Sequence, residues 1–310
     1  MRNTSFILAM ALLTGAAFKQ SVVRGEIYVA DWTHYCVSEY TNSGVSVNPS
    51  LISGLAPWGI AVSGTNLFVA NWGAGTVGEY TTSGATVNPA LVSGLSYPYG
   101  IAVSGSNIFV SNGTGGTVGE YSTSGATVNP ALASVLSFPV GMAVSGSDLF
   151  VADYYYPGAI GEYTLGATPG TLASSRPSLI SGLGAYNPLG IAMSGADLFI
   201  VNQTAGTISE YTTSGDLISA SLVSGLNSPT AIAVCGTDLF VTDQNGAEIG
   251  EYTIWGDVVN PTLVTGLGRS YGIVVTEDVP EPTSLTLLAF AAGALLMPGR
   301  TRSLLHSDQR

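Results

Sequence analysis

The dipeptide Glu-Tyr recurs six times along the chain, at Glu39-Tyr40, Glu79-Tyr80, Glu120-Tyr121, Glu162-Tyr163, Glu210-Tyr211 and Glu251-Tyr252. The intervals are 40, 41, 42, 48 and 41 residues. A second marker keeps the same period. It is an aromatic between apolar residues, with an Asp or Asn shortly after it, at Tyr28, Phe68, Phe109, Phe150, Phe199 and Phe240. Each unit holds four strand-like segments, labelled a to d in chain order. In the second unit they are Gly59–Val62, Leu67–Ala70, Thr76–Thr81 and Ala90–Leu95. Ser63-Gly64-Thr65-Asn66, between the first two, is a hairpin signal. A unit of this size cannot bury its apolar surface alone, so the copies must stack on one another.

A period near 41 with several short strands per unit is the pattern of propeller blades. The 40 glycines and the scarcity of charged residues suit a turn-rich, all-β chain. The ends decide the number of blades. The first repeat starts at strand b, Glu26–Ala30, and lacks a strand a, whereas a surplus strand a appears at Gly272–Val275. The count closes if that last strand completes the first blade. The expectation is therefore an all-β, six-bladed β-propeller with four strands per blade, strand a innermost, closed by a three-plus-one seam that removes open sheet edges.

The unit resembles an NHL-type repeat, on Pro57-Trp58-Gly59-Ile60-Ala61-Val62 followed by Leu67-Phe68-Val69-Ala70-Asn71. The resemblance runs over residues 26–276. It implies the propeller and leaves function open, because that family includes enzymes, protein binders and RNA binders.

Both ends differ from the middle. Arg2, the apolar run Phe6–Leu13 and the small residues Gly15, Ala16 and Ala17 read as a signal peptide over residues 1–17, followed by a short linker, 18–25. Residues 26–278 make up the propeller. Near the other end, Pro280-Glu281-Pro282 precedes an apolar stretch, Leu285–Met297, and then Arg300 and Arg302. As a helix that stretch is about 20 Å long, short of the roughly 30 Å hydrocarbon core, which suits a retention signal better than a permanent span. Residues 279–302 resemble a PEP-CTERM sorting signal, ahead of a basic tail, 303–310. The resemblance implies a Gram-negative-type bacterium, an exosortase-type processing enzyme as partner, transient membrane anchoring through the C-terminal segment, and delivery to the cell surface, outer envelope or extracellular matrix.

Between Glu26 and Asp278 the chain carries 18 acidic residues against Arg176 and Arg269, a net of −16. Such a surface repels phosphate backbones and excludes a nucleic-acid role. Strand alternation then sorts the loops. The a–b and c–d loops share one face, monotonous in Ser, Thr, Gly and Asn. The b–c and d–a loops share the other and collect the large aromatics. Trp32, Tyr35, Trp58, Trp72, Tyr99, Tyr154, Tyr155, Tyr156 and Tyr271 form a candidate ligand face, with Tyr97, Phe138 and Tyr186 in the same loops. Aromatic rings with polar edges stack on sugars or anchor a protein partner; packing between blades is the competing use.

An enzyme of this fold would need its catalytic groups at the channel mouth. Several six-bladed lactonases and esterases place Asn or Asp just before the Gly of strand a, where its oxygen holds a hard cation. The corresponding residues here are Trp58, Tyr99, Val140, Leu189, Thr230 and Tyr271, with no carboxylate or amide among them. His34 is the one histidine of the repeats and reads as a surface residue. Asp31, Asn71, Asn112, Asp153, Asn202 and Asp243 are expected to cap the b–c turns. The six Glu-Tyr glutamates are expected to bond to a neighbouring blade. No catalytic residue, metal site or cofactor is called for, with calcium between blades left open on the glutamates. Cys36 and Cys235 sit near opposite faces and are not expected to pair. The fourth repeat is longer than the others, mostly in the Leu165–Pro177 loop between strands c and d, which reads as a flexible surface insert. The functional expectation is a non-enzymatic binding or structural propeller contacting polysaccharide or a surface protein; the alternative is a hydrolase or lyase acting in the channel.

Overall fold

The string Leu67-Phe68-Val69-Ala70 has no polar face to offer water, so strand b must be covered on both sides. In the computed structural model, which describes residues 22–23, 25–155, 158–183, 187–277 and 279–280, it is. Blade 2 consists of strands Pro57–Ser63, Asn66–Asn71, Thr76–Thr81 and Thr86–Val92, hydrogen-bonded in the order a-b-c-d. Burial declines outward, and the outermost strand is exposed for its first five residues. Five further sheets repeat this design, giving the six-bladed, four-stranded propeller.

The seam is as expected. Ser270–Val275 pairs antiparallel with Glu26–Asp31, whose other neighbour is Cys36–Thr41, followed by Ser46–Ser53. Glu26 N donates to Thr276 Oγ1 at 2.8 Å and Gly268 N to Asp31 Oδ2 at 2.8 Å, so side chains reinforce the backbone ladder.

The core lies between blades. Tyr28, Ala30 and Val37 of blade 1 pack against Ile60, Leu67, Val69 and Tyr80 of blade 2, and Ala61, Phe68 and Val77 of blade 2 against Ile108, Val110 and Tyr121 of blade 3. The two sequence markers turn out to be cross-strand partners: Phe68 faces Glu79, Phe109 faces Glu120, and so on around the ring. The six marker aromatics are the largest fully buried side chains among the described residues, each contributing about 1.5–3 kcal/mol of burial.

Strand a carries glycine because the inner strands crowd together. A Cβ on Gly100 would lie 2.0 Å from the Val140 carbonyl oxygen, and one on Gly141 the same distance from that of Leu189. Only hydrogen fits there.

Four sequence expectations need correction. Strand d of blade 2 starts at Thr86 rather than Ala90, because Asn88-Pro89 sits in a register shift of the edge strand, where proline is tolerated. The fourth-repeat insert is ordered: strand d there is the long Leu172–Ser181, and Gly170 N donates to Glu120 Oε2 of blade 3 at 2.9 Å. Four of the six b-strand Asp and Asn residues cap the loop leading into strand a of their own blade, whereas Asn112 and Asn202 bond to Thr117 and Thr207 across the b–c turn. Asn71 Oδ1 accepts from Ala56 N and Asp153 from Ser137 N and Phe138 N, while Asp31 and Asp243 also reach the b–c turn through His34 N and Gly246 N. The Glu-Tyr glutamates bond mostly within their own blade: Asn66 Nδ2 donates to Glu79 at 2.7 Å, and Arg176 pairs with Glu162. Glu120 instead reaches the next blade, through Gly170 N.

Cys36 and Cys235 have separate surroundings. Cys36 Sγ lies against Ser38 and the Pro49 carbonyl, Cys235 Sγ against the Thr276 carbonyl. The segments flanking the ring form a second unit, residues 1–24 with 278–310, in which Val22–Val23 pairs antiparallel with Val279–Pro280. The signal-peptide residues 1–17, and Glu281, Pro282, Arg300 and Arg302 of the sorting motif, lie outside the described residues. Among those described, no helix is long and apolar enough to cross a membrane.

Candidate functional site

Three positions per blade build the aromatic face. The first is the residue before the strand-a glycine, which is Ala231 in blade 6: Tyr271, Trp58, Tyr99, Val140, Leu189 and Thr230 in blades 1 to 6. These side chains ring the mouth of the central channel, whose free volume is about 80 Å³. The second is the residue after the strand-b cap: Trp32, Trp72, Gly113, Tyr154, Gln203 and Gln244. The third is the residue before the proline of strand a, which contributes Tyr97, Phe138 and Asn187.

Inner strands bring the first ring into contact. Trp58 stacks on Tyr271 with ring centroids 3.7 Å apart and planes within 9°, and meets Tyr99 edge-on at 4.6 Å. Tyr99 continues to Phe138, Phe138 to Tyr155 and Tyr155 to Tyr154, at 4.9, 4.7 and 5.4 Å. Trp72 bridges Trp58 and Tyr97. Gly113 makes this packing feasible, because a Cβ there would lie 2.5 Å from the Tyr99 ring.

The result is a cup of about 230 Å³ above the channel, lined by Trp58, Tyr99, Phe138, Val140, Tyr154, Tyr155, Leu189, Gln203 and Tyr271. Five of the sequence-derived candidates therefore converge: Trp58, Tyr99, Tyr154, Tyr155 and Tyr271. Trp72 supports the cup from behind through Trp58. Trp32 and Tyr35 form a separate pair, 6.2 Å apart, in the b–c loop of blade 1. Tyr156, and Tyr186 of the neighbouring loop, lie outside the described residues.

The other side of the cup is polar. Asn187 Nδ2, the Tyr154 hydroxyl, Gln203, Gln244 and the Tyr271 hydroxyl form one hydrogen-bonded chain across blades 4, 5, 6 and 1. Sequence reading missed Gln203, Gln244 and Asn187. The signal was present: aligned repeat to repeat, the glutamines occupy the position of Trp72 and Tyr154. Burial raises the phenol pKa values of Tyr99, Tyr154 and Tyr271, and at Tyr271 Arg269 and Gln244 pull in the opposite direction.

Charge is divided between the faces. Of the described acidic residues, Asp31, Asp153, Asp243 and Glu248 belong to the aromatic end, where the three aspartates are engaged as caps; the rest lie toward the opposite face. His34 Nδ1 sits 2.8 Å from the buried Asp31 carboxylate, with the imidazole largely exposed. Among the described residues no group of three or more His, Cys, Asp or Glu side chains is placed to hold a metal ion. At the channel mouth the one side-chain oxygen donor of the aliphatic and hydroxyl half, Thr230 Oγ1, is already bonded to the Ser270 carbonyl and Thr242.

No protein-family model and no curated protein matches the chain. Among solved structures it is similar to a chain of a nidogen/laminin complex, at 15% identity and a TM-score of 0.66, covering 81% of this chain and 98% of that one. A catalytically inactive virginiamycin B lyase from Staphylococcus aureus, solved with quinupristin, matches at 18% identity and a TM-score of 0.55, over 79% of this chain and 86% of that one. A gluconolactonase from Xanthomonas campestris matches at 14% and 0.57, over 70% and 79%. At these identities the likeness establishes the six-bladed β-propeller fold alone.

Proposed function

We propose that this is an exported propeller of the cell surface or extracellular matrix that binds polysaccharide in the aromatic cup. One observation carries the reading: a continuous network of aromatic rings, joined to a polar arc, covers the channel mouth on one face, while the opposite loops repeat Ser, Thr and Gly. A cup of 230 Å³ holds roughly one pyranose ring, whose C–H face packs on aromatics while its hydroxyls meet amides and phenols. The PEP-CTERM-like segment supports export and exosortase handling, with the C-terminal stretch as a transient membrane anchor.

Intrinsic fluorescence provides the test, because Trp58 and Trp72 belong to the cup and Trp255 is an exposed residue of the opposite face. Titration of the exported protein with neutral and acidic extracellular polysaccharides should give a saturable change. It should persist in Trp255→Phe and vanish in Trp58→Ala. Loss in Trp255→Phe alone, or no response to any polysaccharide, refutes the reading and turns attention to a surface-protein partner. The gluconolactonase and lyase neighbours support a second reading, hydrolysis or elimination in the channel. Turnover on a lactone and ester panel that is lost on chelation would favour it.

A further inference from the structure

The polar arc of the cup has a direction. Asn187 Nδ2 donates to the Tyr154 hydroxyl at 3.4 Å, and that hydroxyl donates to Gln203 Oε1 at 3.2 Å. Gln203 Nε2 donates to Gln244 Oε1 at 3.5 Å, and Gln244 Nε2 to the Tyr271 hydroxyl at 3.1 Å. Each acceptor along this run is filled by the donor before it. The last group, the Tyr271 O–H, has a hydrogen and no acceptor among the described residues. A run of hydrogen bonds polarises its terminal donor, so this phenol offers a stronger bond than an isolated one.

Arg269 adds a charge at the same point. It lies two residues before Tyr271, its backbone tied to blade 1 by Trp32 N on its carbonyl and by Thr33 Oγ1 on its N–H, both at 2.9 Å. Its side chain is exposed, and its guanidinium stands beside the Tyr271 hydroxyl. Among the described residues the ion pairs are His34 with Asp31 and Arg176 with Glu162, so this guanidinium has no carboxylate partner. A cation left unpaired in so acidic a chain, next to a directed O–H, marks the place of an anionic acceptor. A carboxylate has two acceptor oxygens and matches two converging donors. The hydroxymethyl of a neutral hexose would satisfy one donor and leave the guanidinium without counter-charge. The acidic residues toward the opposite face do not cancel this attraction. At this end the nearest carboxylate, Asp31, is already engaged by the N–H groups of Gly268 and His34 and by the His34 imidazole.

We infer that the cup selects a carboxylate-bearing sugar, a uronic-acid residue of an acidic polysaccharide, with its ring against Trp58, Tyr99 and Phe138 and its carboxylate on the Tyr271 O–H and Arg269. This selectivity rests on the polysaccharide reading above and sharpens it.

Matched oligosaccharides separate the two. The exported protein is titrated calorimetrically with tetramers of glucuronate and glucose, galacturonate and galactose, and mannuronate and mannose, each pair differing only in oxidation at C6. At least one acidic tetramer should bind about tenfold more tightly than its neutral partner at low salt, with the advantage shrinking as salt rises. Arg269→Gln should abolish that preference, bringing the acidic tetramer down to the affinity of its neutral partner. Tyr271→Phe should reduce the preference severalfold. Equal binding of acid and neutral partners in every pair overturns the uronate inference and leaves the aromatic cup as a sugar site. Binding of none of the six by a protein that remains folded overturns both.

Discussion

Glu39 is the residue whose titration should be visible in the stability of the whole ring. The residue is 8% exposed and faces Tyr28 on the adjacent strand, with Glu26, whose carboxylate accepts the Tyr28 hydroxyl, as its diagonal neighbour. Burial first, and then the charge of Glu26 and a hydrogen bond with it, push the Glu39 carboxyl up from 4.5 to about 7. The folded state therefore holds this proton more tightly than the unfolded chain. Stability from the protonated form is fully present below about pH 4.5 and is lost as pH rises through about 7. The shift from 4.5 to about 7 corresponds to at most about 3 kcal/mol, and to about 1–2 kcal/mol once solvent access near the blade end is allowed for. For a domain of this size that is a fall in Tm of about 2–8 °C between pH 5 and pH 8. Glu210, Glu248 and Glu251 are also raised, chiefly by burial and then by neighbouring aspartates, and act in the same direction. The perturbation is Glu39→Gln. The amide cannot titrate and can donate to Glu26, as Asn66 does to Glu79 in blade 2. Thermal unfolding followed by circular dichroism should show the variant stabilised at pH 8 and little changed at pH 5, with a shallower slope between. Glu26→Gln should give a smaller effect of the same sign, since burial remains. An equal shift of Glu39→Gln at both pH values would refute the linkage.

Two further outcomes test the packing. Gly141→Ala should destabilise the ring by about 3 kcal/mol or prevent folding, because its Cβ would meet the Leu189 carbonyl at 2.0 Å, whereas Gly190→Ala, with its nearest atoms at 3.0 Å, should be milder; urea unfolding ranks them. Phe109→Ala should cost about 3–5 kcal/mol, while Val135→Ser, at 98% exposure, should fall within about 0.5 kcal/mol of the parent in the same assay.

The ring and its seam were legible because they follow from counting. A strand a missing before Glu26 and present at Ser270–Val275 has one closed solution, and the structure adopts it. What stayed hidden depends on contacts made far along the chain. Asn71 caps the N–H of Ala56, fifteen residues upstream, where turn chemistry looks only a few residues away. The insert of the fourth repeat has a loop-like composition, yet the blade 3 carboxylate of Glu120 holds it at Gly170. Aromatic residues announced their half of the cup by type. Gln203 and Gln244 did not, since glutamine in a surface loop has no distinctive pattern, and their partnership appears only when the inner strands of blades 5, 6 and 1 bring them together.

Repetition also separates what holds the ring from what it is for. Fully buried aromatics and the facing glutamates occur in every blade, with Tyr28 in place of phenylalanine in the first, and the strand-a proline occurs in five of the six. Stability alone would favour the same uniformity at the channel mouth, where all six blades meet on equivalent terms. Instead that ring runs through tyrosine and tryptophan in blades 1 to 3, aliphatics in blades 4 and 5 and a threonine in blade 6, and the ring outside it turns from indoles to amides over the same arc. Packing can account for one ring closing on another, as Trp58 does on Tyr271. It gives no reason for placing aromatic and amide halves on opposite sides of one cup, or for setting an unpaired guanidinium where the hydrogen-bonded run ends. An asymmetric ligand, apolar on one side and an acceptor on the other, supplies that reason.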